Sequence, residues 1–410
     1  MKIAVVGGGM LGSTVALLAA DQGWDVTIFE SRVKLFAGAS TAGEAKIHLG
    51  PIYILGDEQT QDLMLRGAVN FAPILEKAVG KKINWEELVS EPFDYGVMPT
   101  SLVPASELAT RYKRLNSRIQ EGAPAAGFGY LGEQITQLVD PNYKIDPQTG
   151  LECFKTSERA ANPIELSKLV IGAIDHSEKI QVKLDTEVLK IDQGDDAAAI
   201  SSSDLDGNVA TEKFDLVINC AWENQTALTP KSAQELHNFR VKLAVRLPAR
   251  ETIKSITFIQ GPFGDVVSHR DHTYASWYPV ARIVSEEGIA PSTEAKELFS
   301  RLKTENQTQE NLEWKHALVA EQLAGLRDVG LFAGEFSETE IREAELTGGY
   351  IIGHGSLDIT NLASSLHSRS EFGVQVSSRL LNPINYKLTT APLAALETIE
   401  HIRKHFLRKD

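Results

Sequence analysis

Cysteine is scarce in this chain. Only Cys153 and Cys220 occur in 410 residues, too few for a disulfide framework. No C-x-x-C pair and no close His/Cys spacing is present, so no structural metal is expected. A reducing, cytoplasmic setting fits that scarcity. Long apolar runs are missing too, and none approaches the length that crosses a bilayer. Positive charge is in deficit: 41 Lys and Arg against 55 Asp and Glu give a formal net charge of -14. That balance argues against nucleic acid or an anionic membrane as partner. There is no internal repeat and no low-complexity linker. What remains is ordinary for a globular protein, with 42% hydrophobic and 23% charged residues,. The length suits two or three domains, or one large α/β domain with an insertion.

The stretch from Lys2 to Glu30 organises the rest. Ile3 to Val6 is a short apolar run, as in a strand buried on both faces. Gly7, Gly9 and Gly12 fill the glycine places of G-x-G-x-x-G. Met10 to Ala20 is small or apolar and suits a buried helix, ended by Gly23. Val26 to Phe29 reads as a second strand with Glu30 at its carboxyl end. In dinucleotide binding, such glycines permit a tight turn, backbone approach to a pyrophosphate, and close helix–strand packing. The helix N-terminus offers free N–H groups to phosphates, and an acid about twenty residues on accepts from ribose hydroxyls. The bland alternative is a glycine-rich turn without a ligand. A secretion signal is rejected, because glycines interrupt the apolar run and the strand–acid pattern continues past it.

Ser31 to Pro51 shows no sustained period of 3.6 or 2, and an irregular segment of that length is usually functional. It is expected to run across the bound cofactor. Helical spacing returns from Glu58 to Val79 and from Glu107 to Leu115. Phe93 to Met98 is a candidate strand, and residues 121 to 150 are expected to be loops. Asn162 as cap, Pro163 and Glu165 mark a helix to about Asp175. Val182 to Ile191 reads as strand, Asp192 to Asp206 as a surface hairpin, and Phe214 to Cys220 as a buried strand. Strands dominate Phe239 to Val280. There Val241, Leu243, Val245 and Leu247 face one way, and Arg240, Lys242, Ala244 and Arg246 the other. Thr293 to Leu302 and Glu310 to Ala324 are expected helices, Gly348 to Gly353 a strand, and Thr390 to Phe406 the closing helix.

Four stretches carry a family resemblance: the fingerprint ending in Glu30, the segment Gly38 to His48, the strand FDLVINCAWEN, and NYKLTTAP entering the last helix. With them the chain resembles the FAD-dependent D-amino acid oxidase superfamily, which includes glycine oxidase and monomeric sarcosine oxidase. That superfamily has a GAS-type loop along its flavin. Many members also carry a GHG-type run before the final helix. Here that place holds Lys387, Leu388, Thr389 and Thr390, and Gly353, His354 and Gly355 come earlier.

The resemblance implies a Rossmann-like α/β FAD-binding domain, discontinuous over 1–90, 151–236 and 335–410. A smaller α+β substrate domain with an antiparallel sheet would use 91–150 and 237–334. It implies FAD, covalent or not, taking a hydride at N5 from a carbon bearing nitrogen. The alternatives are a C–OH carbon of a hydroxy acid or polyol, or a nucleotide-binding protein without turnover. The expected FAD contacts are Gly7, Gly9, Met10, Leu11, Gly12, Glu30, Ser31, Arg32, Ser40, Thr41, Glu44, Lys46, Val188, Cys220, Ala221, Trp222, Lys387, Leu388, Thr389 and Thr390. Thr389 and Thr390 would donate to the flavin pyrimidine from the helix N-terminus.

For chemistry, Lys46 either supports the reduced flavin or simply pairs with Glu44. His48 is either a base or contact in the site, or a hydrogen-bonded structural group. Arg246, His269, Arg270, Tyr274 and Tyr278 are candidates for substrate capture, because a guanidinium grips a carboxylate at two points; otherwise they are exposed strand positions. Tyr274, Ser276 and Tyr278 are expected on one strand face. Trp222 either shields the adenosine end or packs in the core. His354 and His367 fall near the flavin segments, and Arg369 and Glu371 would pair with each other.

Overall fold

The computed structural model describes residues 1–121, 127–250, 253–302, 307–332, 336–353, 360, 361, 364 and 368–407. Strand β1 (Lys2–Val6), helix α1 (Met10–Asp21) and strand β2 (Asp25–Phe29) follow the expected order. They start a six-stranded sheet whose order is Ile180–Lys183, β2, β1, Leu216–Asn219, Leu380–Ile384 and Gly373–Ser377. β1 pairs in parallel with β2 (Ile3 beside Val26) and with Leu216–Asn219 (Ile3 beside Leu216). β1, at the centre, buries Ile3 to Val6 on both faces, which explains a run without alternation. Only the edge strand Gly373–Ser377 is antiparallel.

α1 is buried on almost every side because its residues are small or apolar all round,. It packs between the sheet and the last helix, Ala391–His405. The helix Pro163–Asp175 begins at Asn162, whose side chain accepts from Ile164 N and Glu165 N, as the cap pattern predicts. Helix Glu58–Val79 matches its expected span, and Ala105–Glu121 outruns it.

A nine-stranded sheet forms the second layer. The long strand His237–Pro248 anchors it, pairing with Arg282–Gly288 and His272–Trp277 on one edge and Glu345–Gly353 on the other. The path continues through Gly264–Ser268, Ile256–Ile259, Asp94–Val97, Glu152–Lys155 and Lys144–Ile145. Val241, Leu243, Val245 and Leu247 do share one buried face, against helix Gln309–Asp328. Glu152–Lys155 and Glu345–Gly353, assigned from sequence to the cofactor unit, are strands of this larger sheet.

Other expectations need correction. Val182 to Ile191 is two strands, Ile180–Lys183 and Glu187–Gln193, in different sheets. Asp185, at φ 49°, turns the chain between them. Ser31 to Pro51 is not wholly irregular: it holds a short helix, Ala39–Ala42, and a strand, Lys46–Ile47, antiparallel to Arg159–Ala160. Tyr278 leaves the strand face of Tyr274 and Ser276, because the chain turns into the short helix Tyr278–Ala281 at Pro279.

Candidate active site

The turn after β1 admits only glycine. Gly7 has φ 100°, and a Cβ there would lie 2.5 Å from the Cys220 carbonyl oxygen. A Cβ on Gly12 would lie 1.9 Å from the Gly7 carbonyl oxygen. α1 therefore starts close against the strand, and Gly9 gives it no side-chain cap. Of its first amides, Met10 N donates to Ser40 Oγ at 3.0 Å. Glu30 is buried and accepts from Gly8 N at 2.8 Å and Arg32 N at 3.0 Å. Arg32 turns its guanidinium to Glu223, 2.7 Å away.

A cavity of about 470 Å³ opens at this turn, within the size range of small-molecule sites. It runs past Ser31, Val188, Cys220, Ala221 and Trp222, and along Ser40 and Glu44. Its other end is lined by Lys46, His48, Lys242, Tyr274, Lys387 and Leu388. It lies between the two large sheets. Trp222 fixes its indole by donating Nε1–H to the Tyr350 carbonyl.

The far end holds a chain of alternating charges. Lys46 Nζ meets Asp265 Oδ2 at 2.5 Å, and Lys242 Nζ lies 3.5 Å from Asp265 Oδ1 and 3.7 Å from Glu44 Oε2. Tyr274 OH donates to Glu44 at 3.4 Å. Burial opposes the charge on Glu44, but Lys242, Lys46 and Lys387 outweigh it and hold the carboxyl well below its usual range,. Burial likewise opposes the charge on Lys242, but Asp265 and Glu44 keep its pKa well above the ordinary lysine value. Lys387 shifts the other way. Burial, with Arg369, Lys242 and Arg240 nearby, pushes it down to about 8 against the pull of Glu44.

His48 has a different neighbour. Its Nδ1 lies 3.4 Å from Glu158 Oε2. Glu158 is wholly buried, with Leu49 N donating to Oε1 at 2.6 Å and Tyr95 OH donating to Oε2.

Several expected residues are elsewhere. Thr41, Thr389 and Thr390 do not line the cavity. Thr41 Oγ1 donates to the Phe36 carbonyl at 2.7 Å. Thr389 Oγ1 accepts from His48 N and donates to the Lys46 carbonyl, and Thr390 Oγ1 donates to Asn385. Both hydroxyls bond within the protein. Arg246 is drawn to Glu345 at 3.2 Å and to the Thr41 carbonyl. Arg270 donates to the Glu86 carbonyl at the surface. Tyr278 OH accepts from Arg240 Nη1 at 2.9 Å. His269 is buried, with neither ring nitrogen hydrogen-bonded. Arg369 donates to the Ser368 carbonyl, and Glu371 accepts from Tyr386 OH. His354 and His367 lie outside the described residues.

Lys242, Asp265, Glu158 and Arg240 were not named from sequence as site residues. Lys242 and Arg240 carry a signal, since they share the strand face opposite the apolar stripe. Asp265 and Glu158 carry none, because their partners are 219 and 110 positions away. No helix among the described residues is long and apolar enough to cross a membrane, and they contain no cluster of three potential metal ligands.

A glycine turn, a buried acid and a cavity between a mostly parallel and a mostly antiparallel sheet define a dinucleotide-dependent α/β protein. Residues 2–278 match the family model described as DAO, FAD dependent oxidoreductase. The chain belongs to that family, and FAD is its cofactor. Among solved structures it is similar to glycine oxidase from Geobacillus kaustophilus, at 15% identity and TM-score 0.61, covering 98% of this chain and 95% of that one. It is also similar to iminodiacetate oxidase from Chelativorans sp. BNC1, at 14% identity and TM-score 0.57, covering 96% and 92%. Glycerol-3-phosphate dehydrogenase from Bacillus halodurans, complexed with FAD, matches at 12% identity and TM-score 0.50, covering 100% and 66%. No curated protein matches the sequence.

Proposed function

We propose that this FAD-dependent oxidoreductase oxidises an amine or amino acid to an imine, with FAD lying along the cavity. One observation carries the reading. The cavity is continuous from the glycine turn and Glu30 to the charged cluster around Lys46, Lys242 and Lys387.

The residues present fit the cofactor. The absent Cβ atoms of Gly7 and Gly12 let backbone close up under a diphosphate, and the uncapped start of α1 presents free amides and a positive dipole end,. Glu30 is held in place by two amides at the end of β2, where ribose hydroxyls would meet it,. The unit that would hold FAD is 1–90, 151–236 and 335–410, less the two strands that join the larger sheet. FAD, when bound, supplies a hydride acceptor at N5. Lys387 and the N-terminus of helix Ala391–His405 bring positive potential to the far end of the cavity, which suits charge accumulating on a ring being reduced.

With Arg246 and Arg270 engaged elsewhere, Arg240 and Arg369 are the better candidates for gripping an acid group on the substrate. Both are buried just outside the cavity lining, and unlike Arg246 neither is paired with a carboxylate among the described residues, while the Nε of all three has no partner. A buried guanidinium left so has a donor to spend on an anion. By name, two structural neighbours are oxidases of glycine and iminodiacetate, which supports the nitrogen reading. His48 beside Glu158 favours the second reading, oxidation of a C–OH group, because that reaction needs a base for the hydroxyl proton,.

The purified protein should be mixed anaerobically with panels of amines, amino acids and hydroxy acids. A yellow protein that bleaches with an amine or amino acid is expected. Bleaching by hydroxy acids alone would replace the first reading with the second. A protein that takes up FAD and bleaches with nothing would leave a nucleotide-binding role without turnover.

A further inference from the structure

Glu158 is a wholly buried carboxylate beside His48. It lies between the strands Glu152–Lys155 and Arg159–Ala160 with no exposed surface. A buried carboxylate is tolerated only when donors surround it. Two of its donors are neutral, Leu49 N and Tyr95 OH. Among the described residues its one ion-pair partner is His48. No described lysine or arginine pairs with it, although Lys46 is only two residues from His48 in sequence. Lys46 is taken by Asp265.

We propose that Glu158 is a positioning residue: it holds His48 as the Nδ1–H tautomer, so that Nε2 stands toward the cavity as a proton acceptor. This rests on the reading that the cavity houses the reacting centre. An ionised carboxylate accepts only, so the ring nitrogen facing it carries the hydrogen and the other is bare in the neutral imidazole. The ring cannot turn away easily. His48 N is tied to Thr389 Oγ1 at 3.0 Å, and the Tyr53 ring meets the imidazole edge-on at 5.7 Å. Nε2 makes no hydrogen bond among the described residues and is not sealed off by protein, while His48 lines the cavity.

The chemistry follows from that placement. A substrate N–H or O–H gives its proton to Nε2; the heteroatom keeps the electron pair, and a new Nε2–H bond forms. The imidazolium so created faces a carboxylate already in place, which needs no reorganisation to receive the charge. The other titratable groups facing His48 are Tyr53, whose pKa burial raises, and Tyr95, raised by burial and by Glu158. Both stay protonated in the working range, so neither competes for the proton. Lys387 stands beyond Tyr53, 5.9 Å from its ring centroid.

Glu158→Gln separates positioning from packing. Its amide oxygen can still receive Leu49 N–H, but its NH₂ then faces Nδ1 and reverses the tautomer. The FAD-loaded protein, labelled with ¹⁵N-histidine and free of substrate, should show His48 protonated at Nδ1, with the resonance assigned by its loss in His48→Gln. Glu158→Gln should show the Nε2–H form. Substrate-driven reduction should slow by about 100-fold, with bound FAD retained, and Glu158→Asp should recover part of the rate. An Nε2–H tautomer in the unaltered protein overturns the proposal. So does the same tautomer in the two proteins. The tautomer is read without turnover, so it stands or falls separately from the identity of the substrate.

Discussion

Lys46 and Asp265, 219 positions apart, meet at 2.5 Å and join the segment after β2 to the larger sheet. Their side chains are 2% and 7% exposed. Removing one partner leaves a charge stranded in a dry site, which typically costs about 3–5 kcal/mol. Asp265→Asn is therefore expected to lower stability by that order, measured by urea unfolding. Lys46→Met combined with Asp265→Asn should recover most of the loss, because the cation paired with Asp265 alone is gone and Lys242 keeps Glu44. A single variant within about 1 kcal/mol of the parent would show that water already screens the pair.

Arg246 and Arg240 share a strand face but have different partners. Arg246 is paired with the Glu345 carboxylate and the Thr41 carbonyl, whereas Arg240 gives Nη1 to the neutral hydroxyl of Tyr278; the Nε of both has no partner. Arg246→Ala is expected to lower the melting temperature and leave KM within about twofold. Arg240→Met should raise KM for an acidic substrate by about 10-fold or more, the effect of losing one charge-assisted hydrogen bond. Reversed outcomes would restore Arg246 to substrate capture.

These contrasts show what could be read before folding. β1, α1, β2 and Glu30 were legible because their pattern is local and each glycine answers a steric demand within a few residues. The strand face with Arg240, Lys242 and Arg246 was legible as a face. Which of its cations meets the cavity was not, since that depends on where Glu345–Gly353 and the Thr41 carbonyl come to lie. Where the Thr389 and Thr390 hydroxyls bond was hidden for a similar reason. Their position before a helix suggested ligand donors, but the strand Lys46–Ile47, distant in sequence, claims the Thr389 hydroxyl, and Asn385 claims that of Thr390. Glu158 and Asp265 give no local signal. Their role exists only once β-pairing and packing bring remote segments together.

Two glycines of the first thirty residues should respond oppositely to the same change. Gly12→Ala would force a Cβ to 1.9 Å from the Gly7 carbonyl oxygen, and backbone must move to relieve it. Gly23 has φ 79° but open space around it, so Gly23→Ala costs only about 1 kcal/mol of backbone strain. The first variant should purify without yellow colour or fail to fold; the second should retain FAD. Full FAD content in Gly12→Ala would show that the tight turn is dispensable for binding.

His269 makes the acid side of the stability curve testable. It is 7% exposed, neither ring nitrogen has a partner, and burial, with His272 nearby, lowers its pKa from 6.5 to about 3. The unfolded chain therefore takes up a proton below pH 6.5 that the native protein refuses until about pH 3. Between those values the unfolded state binds more protons, so stability falls as pH falls. At pH 5 this single group accounts for a loss of about 2 kcal/mol relative to neutral pH. His269→Phe keeps a ring of similar size and has nothing to protonate. Its urea midpoint should match the parent closely at pH 7.5 and exceed it at pH 5. Parallel losses in the two proteins would mean that His269 gains a proton partner or water in the native state, and that other groups set the acid limb.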